Sequence, residues 1–379
     1  MEVLMLGNKL EFEGLTGVGK VYLDLEPEQS VYTFIGANGV GKTKTLEALF
    51  QVLFFSNDFV RSSLDIFDRV FFKCYRLKDK VSGDIIFDRG DEAVLSWVKA
   101  KNSFISLSHE LPVVYLGAQS RGIIESEIVL SDPIGTTVDR RKKYIKNLTS
   151  QMESKFGSMN MASNIQQWFV TLAKSSNPYQ KKEDNREVEI KTVIRLLHEI
   201  DNRIDPEFLE IGGDDRVSLK VEGAKRELSQ LSSGFSSILK LVQAIVSGYG
   251  YFTNETQLQN VKGIVLIDEI ESHLHLTWQV NIIPLLKKLF PNTTFYITTH
   301  SSVVLSQLRE GEAYTLYRDQ DGSVKTHKIP SPNKAALADI LKDVFKVDLN
   351  QIKLENSSVD EQKDAKKNLL DLIKKQGDK

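Results

Sequence analysis

Hydrophobic and polar positions along the chain alternate between two rhythms. Val21-Tyr22-Leu23-Asp24-Leu25 and Val31-Tyr32-Thr33-Phe34-Ile35 are β-branched and aromatic runs parted by the turn-forming Glu26-Pro27-Glu28, and they predict strands. From Thr45 to Phe55 the spacing becomes helical, with Leu46, Leu49, Val52 and Leu53 apolar. Val70-Phe71-Phe72, Asp84-Ile85-Ile86-Phe87 and Pro112-Val113-Val114-Tyr115-Leu116 predict further strands. Residues 121–205 are rich in Ser, Asn, Lys and Met, and their periodicity suits helices. The clearest is 187–200, where Ile190, Val193, Ile194 and Leu197 share one face. A hairpin follows, from Phe208–Ile211 through a GGDD turn to Val217–Val221. From 228 helix and strand alternate again, with strands expected at 263–267 and 294–298. The tail from 332 to 379 reads as helical and lysine-rich. The expected fold is α/β, a mixed sheet interrupted by a helical insertion. Its expected divisions are an N-terminal lobe (1–120), the insertion (121–205), a C-terminal lobe (206–331) and a helical tail (332–379).

Composition narrows the function classes. Among 379 residues, 49 Lys and Arg face 51 Asp and Glu, a net charge of −2. Such near-neutrality argues against binding nucleic acid through bulk charge, although a local basic patch is compatible with it. Cys74 is the single cysteine, so neither an internal disulfide nor a cysteine-based zinc site can form. The first residues are partly acidic, and no stretch approaches the ~18 apolar residues of a membrane span. A cytoplasmic protein without membrane contact is expected.

The sequence GVGK occurs at 17–20 and again at 39–42. The second copy lies in Gly36-Ala37-Asn38-Gly39-Val40-Gly41-Lys42-Thr43-Lys44, after a predicted strand and before a predicted helix. There the glycines allow backbone N–H groups to close around phosphate oxygens, and the helix N-terminus adds its dipole. Lys42 would reach the outer phosphates of ATP and the Thr43 hydroxyl would bind Mg²⁺. The first copy runs into Val21 and a strand, with neither hydroxyl nor helix, and is read as a hairpin turn. Downstream, the apolar strand Ile264–Ile267 ends in Asp268-Glu269. Asp268 would hold Mg²⁺ through water, and Glu269 would polarise the attacking water.

Gln230-Leu231-Ser232-Ser233-Gly234-Phe235, ahead of the apolar helix Ser237–Val246, resembles the signature of ABC-type ATPases. It lies between the phosphate loop and the acidic strand, which is that family's order. The resemblance is closest to the branch of Rad50, SMC and RecF-like ATPases. Within that branch it is closest to compact ATPases of bacterial anti-phage systems of the Septu, retron-associated and PARIS kind, which share a stretch like Asp268-Glu269-Ile270-Glu271-Ser272-His273-Leu274-His275-Leu276-Thr277-Trp278-Gln279. Leu276 stands where proline is common in them, and Phe235 where Gln or Glu is frequent.

The resemblance implies several roles. Ser232, Ser233 and Gly234 would contact ATP held by a second copy, giving a head-to-tail homodimer around two ATP molecules. Gln119 would be the glutamine that senses Mg²⁺ and the attacking water, and His300 the histidine that contacts the γ-phosphate. ATP would act as a switch governing a separate nuclease or toxin effector, since no domain-sized segment is left over for one. The rival readings are a DNA-repair or chromosome-maintenance ATPase that clamps DNA directly, and the nucleotide-binding subunit of a transporter. His273 and His275, at i, i+2 spacing, would point to different faces of a helix and so do not suggest a metal pair. The basic run Arg140-Arg141-Lys142-Lys143-Tyr144-Ile145-Lys146 reads either as a solvated helix face or as a patch for phosphates or an acidic partner.

Overall fold

The computed structural model describes residues 7–64, 69–74, 76–79, 83–86, 94–96, 101–125, 135–177, 179–181, 183–349, 351–352 and 366–368. They divide into two units, Met1–Asn333 and Lys334–Lys379.

The first unit is built on one 10-stranded mixed sheet. Its strands in chain order are β1 (Lys9–Leu15), β2 (Gly19–Asp24) and β3 (Val31–Ile35), then, beyond the short β4 (Arg69–Phe71), β5 (Arg76–Asp79) and β6 (Gly83–Ile86). After β7 (Val94–Ser96) comes β8 (Val113–Leu116). Beyond β9 (Ile204–Ile211), β10 (Val217–Val221) and β11 (Ala224–Glu227) lie β12 (Gly263–Ile267), β13 (Thr293–Thr298), β14 (Ala313–Arg318) and β15 (Val324–Lys328). Their order across the large sheet is β6-β5-β1-β2-β15-β14-β3-β13-β12-β8. From β14 to β8 all neighbours are parallel, and every residue of β3, β8 and β12 is buried. That is the unbroken apolar composition expected of strands covered on both faces. Strands β9 to β11 form a separate antiparallel sheet and β4 pairs with β7.

The parallel register decides where a ligand can sit. Thr298 pairs with Phe34, while Ile267 pairs with both Ile297 and Leu116. The carboxyl ends of β3, β13, β12 and β8 therefore finish side by side, the usual ligand edge of an open α/β sheet. Helix Lys42–Ser56, which follows β3, is buried almost all round. Its Phe50, Phe54 and Phe55 join Tyr115, Phe156, Phe72 and Phe104 in an aromatic core. Helix Ser233–Phe252 lies so close to β8 that a side chain at Gly248 would put its Cβ 2.5 Å from Val114. This close approach requires a glycine.

The insertion is helical, as its composition predicts, with helices Thr137–Gln151, Ile165–Ser175 and Glu187–Ile200. The basic run is partly structural. Arg141 donates to the carbonyls of Tyr251 (2.7 Å) and Phe252 (3.1 Å), and Tyr144 stacks on Tyr251 with ring centroids 4.0 Å apart. In the second unit, helix Leu337–Asp343 starts the expected helical tail; Lys363 and the stretch from Leu369 onward lie outside the described residues. No described helix is long and apolar enough to cross a membrane.

Candidate functional site

The phosphate loop is shaped by glycines that no other residue could replace without strain. Gly41 has φ 113°, and a Cβ there would lie 2.8 Å from Val18; a Cβ at Gly36 would meet the Leu316 carbonyl at 2.5 Å. Val40 is buried beneath the loop while Asn38 faces outward. Lys42 opens the helix, and its Nζ donates to the carbonyls of Gly36 (2.8 Å) and Ala37 (3.0 Å). Its ammonium is buried, and among the described residues it makes no ion pair. Burial holds its pKa below the usual lysine value, a loss that Asp268, Glu269 and Glu271 offset only in part. Lys44 points its ammonium along the helix to Glu47, 3.0 Å away, so its offer to the loop is the backbone N–H.

Opposite the loop, Asp268 Oδ1 accepts hydrogen bonds from the Thr43 hydroxyl (2.9 Å) and the Thr298 hydroxyl (2.6 Å). Burial pushes the Asp268 carboxyl above its ordinary pKa. A cation depressed by burial and a carboxylate raised by it, each partnered by neutral groups, both gain from a bound phosphate and a bound cation. The hydroxyl and carboxylate oxygens suit Mg²⁺, which takes one or two protein oxygens and completes its shell from phosphates and water. No cluster of three or more His, Cys, Asp or Glu side chains that could cage a metal occurs among the described residues. Glu269 follows in a left-handed conformation (φ 45°), donating its N–H to Thr298 Oγ1 (2.8 Å) and accepting from Ser272 Oγ (3.2 Å). Its carboxylate thus lies beside Asp268, at the sheet edge where the phosphate loop also begins.

The remaining candidates stand at different removes. Gln119, three residues beyond β8, is exposed and donates its N–H to the Gly157 carbonyl (2.8 Å), so an insertion loop holds it at the ligand edge. His300 is also exposed, two residues beyond β13, with its N–H on Glu271 Oε1 (2.6 Å). Ser232 caps helix Ser233–Phe252 by accepting from the Phe235 N–H (3.3 Å), and Ser233 is exposed at the tip. A Cβ at Gly234 would lie 3.1 Å from His275, so the signature packs on the His275–Trp278 segment. Among the described residues, no hydrogen bond joins the signature to the phosphate loop of the same chain. His273 and His275 are not on a helix, contrary to the sequence reading. His273 occupies a left-handed turn (φ 65°), and His275 precedes the short helix Leu276–Gln279.

With this geometry in place, three comparisons bear on the family. A family model described as "AAA domain, putative AbiEii toxin, Type IV TA system" matches residues 162–306. The Septu protein PtuA of Bacillus thuringiensis is 22% identical over 91% of this chain and 85% of its own length. This chain resembles the ATPases of bacterial anti-phage systems. A second PtuA, from Bacillus mycoides (strain KBAB4), is 26% identical over 90% of the chain, which spans only 46% of that relative. The Retron Ec83 probable ATPase of Escherichia coli is 37% identical over 31% of the chain and 21% of its own length. Among solved structures, an Smc head bound to the C-terminal winged helix of ScpA covers 90% of the chain at 12% identity, with TM-score 0.43.

Three residues of the site escape the motif reading. Arg121 is fully buried and donates to the carbonyls of Glu269 (2.8 Å), Leu116 (3.0 Å) and Asp268 (2.6 Å). Burial pushes its guanidinium down to about 10. Thr298 bridges Asp268 and the Glu269 N–H, while Glu271 accepts from both the Thr299 hydroxyl (2.7 Å) and the His300 N–H. A buried arginine beyond an apolar strand has no motif of its own. Glu271 and Thr298 were legible only as letters beside DE and TTH.

Proposed function

We propose that the chain is an ATP-driven switch of an anti-phage system, and that two copies close head-to-tail around two ATP molecules to govern a separate nuclease or toxin. The observation that carries this reading is the 2.9 Å hydrogen bond from Thr43 to Asp268, which brings the phosphate loop and the acidic strand into one site. In that site Lys42 and the loop N–H groups take the phosphates, and Thr43 and Asp268 hold Mg²⁺. The metal supplies charge neutralisation on the phosphate oxygens. Glu269 accepts a proton from the attacking water, His300 contacts the terminal phosphate, and Gln119 registers the state of the site. The exposure of Ser232 and Ser233, which among the described residues make no hydrogen bond to their own phosphate loop, supports their use by the partner copy. Hydrolysis then removes the phosphate that bridges the two copies, and they part.

The test is the Glu269→Gln variant. With ATP and Mg²⁺ it should elute as a stable dimer in size-exclusion chromatography with light scattering, and its turnover should fall about a hundredfold or more. A monomer under those conditions sinks the sandwich; undiminished turnover removes Glu269 from its role. Co-purification of a nuclease or toxin with the native chain supports the effector. Salt-sensitive stimulation of turnover by DNA would instead favour a direct DNA clamp.

A further inference from the structure

A cleft of about 700 Å³ lies between the insertion and helix Ser233–Phe252, on a part of the molecule that the proposed switch leaves without a role. Its size is that of a small-molecule site, and its lining is mixed in a telling way. Trp168 lines one side, pinned by its Nε1–H to Ser247 Oγ (3.2 Å), and the stacked pair Tyr144–Tyr251 lines another. Arg140 and Lys143, from the basic run, reach the same cleft, and no ion pair engages either among the described residues. The carboxylate that lines it, Glu189, is already held by Arg186 Nε at 2.6 Å. Gln167 turns its amide nitrogen to Thr171 Oγ1 (2.9 Å), which leaves its Oε1 buried with no donor among the described residues.

We propose that this cleft is a second ligand site, made for a nucleoside monophosphate. The base lies against Trp168, while the phosphate meets Arg140 and Lys143. Aromatic stacking tolerates any base, and the two cations select the anion. An adjoining cavity of about 330 Å³ shares Tyr144, Trp168 and Tyr251 and runs on to Ser158 and Asn160. Asn160 donates to the Tyr115 carbonyl (2.8 Å) of β8, and the neighbouring Gly157 carbonyl takes the Gln119 N–H. The adjoining cavity therefore separates the ligand from the loop that holds Gln119.

The experiment uses the full chain carrying Lys42→Ala, titrated with AMP and, separately, with inorganic phosphate, by tryptophan fluorescence and calorimetry. AMP should bind at one site per chain in the sub-millimolar range, with phosphate at least tenfold weaker. Adding Arg140→Gln and Lys143→Gln should weaken AMP at least tenfold, and the exposed Lys143→Glu alone should weaken it in a chain whose melting is unchanged. The proposal is overturned by the absence of saturable AMP binding, by phosphate binding as tightly as AMP, or by AMP binding that the Arg140 and Lys143 changes leave intact. The last result would place the bound AMP in the phosphate loop and would count against Lys42, not for the cleft.

Discussion

The chain contains the same four letters twice, and the two copies do opposite things. Both GVGK segments use left-handed glycines, Gly17 and Gly19 at φ 76° and 97° and Gly39 and Gly41 at φ 75° and 113°. Backbone conformation therefore does not separate a turn from a phosphate site. The lysines do. Lys20 sits on β2 within 2.9 Å of Glu13 and 3.2 Å of Glu11, and these carboxylates hold its pKa above the usual lysine value. Lys42 opens a buried helix, is bonded only to carbonyls among the described residues, and is pushed the other way by burial. A cation already bonded to carboxylates has little to offer a phosphate; one bonded only to neutral carbonyls, with carboxylates offsetting its burial in part, is poised for it. The copies also touch, since Val18 of the first packs over Gly41 of the second.

The comparison breaks first at the two lysines. Lys42→Ala should lower ATP affinity on the order of 100-fold, about 3 kcal/mol for charged hydrogen bonds to phosphate. Unchanged affinity in isothermal titration would move the site elsewhere. The glycines give a finer cut. Gly41→Ala and Gly17→Ala each incur about 1–3 kcal/mol of backbone strain, visible as lower melting temperatures. Only Gly41→Ala, which also drives a Cβ into Val18, should weaken ATP, by about tenfold; nothing lies within 4 Å of a Cβ at Gly17. Equal loss of affinity in both variants would erase the distinction between the loops.

The smallest effect is a pH signature of the first copy. The Lys20 hydrogen bond leads in holding Glu13 down from 4.5 to about 2. A depressed carboxylate stabilises the fold above its unfolded pKa, and that contribution drains away as pH falls from 4.5 toward about 2. Lys20→Met should leave ATP binding untouched. Its stability deficit at neutral pH should shrink across that acid window in denaturant titrations, and a deficit constant with pH would mean the pair does not titrate as described.

Much of this was legible in the letters because the parallel strands are buried on both faces. Val31–Ile35 is seen at its predicted bounds, as are helix 187–200 and strand 263–267, while the strand expected at 294–298 starts one residue early, at Thr293. What escaped reading was held by partners rather than by pattern. Strand β15 reads VKTHK, mostly polar, and is a strand because β14 and β2 pair with it on either side. Strand β5 reads RLKD, and its Arg76 and Lys78 are matched across β1 by Glu13 and Glu11. The site divides in the same way. Glycine loop, acidic pair and signature carry local spacing constraints that a sequence displays. Arg121 acts through main-chain carbonyls at the end of β8 and just beyond β12, and carbonyls leave no mark in a sequence.

Arg121 is also where the insertion takes hold of the sheet. One rigid guanidinium grips the last residue of β8 and the two residues after β12, so these strand ends must travel together. In mechanical terms it is a rivet: the backbone that carries Asp268 and Glu269 is pinned through Arg121 to the end of β8.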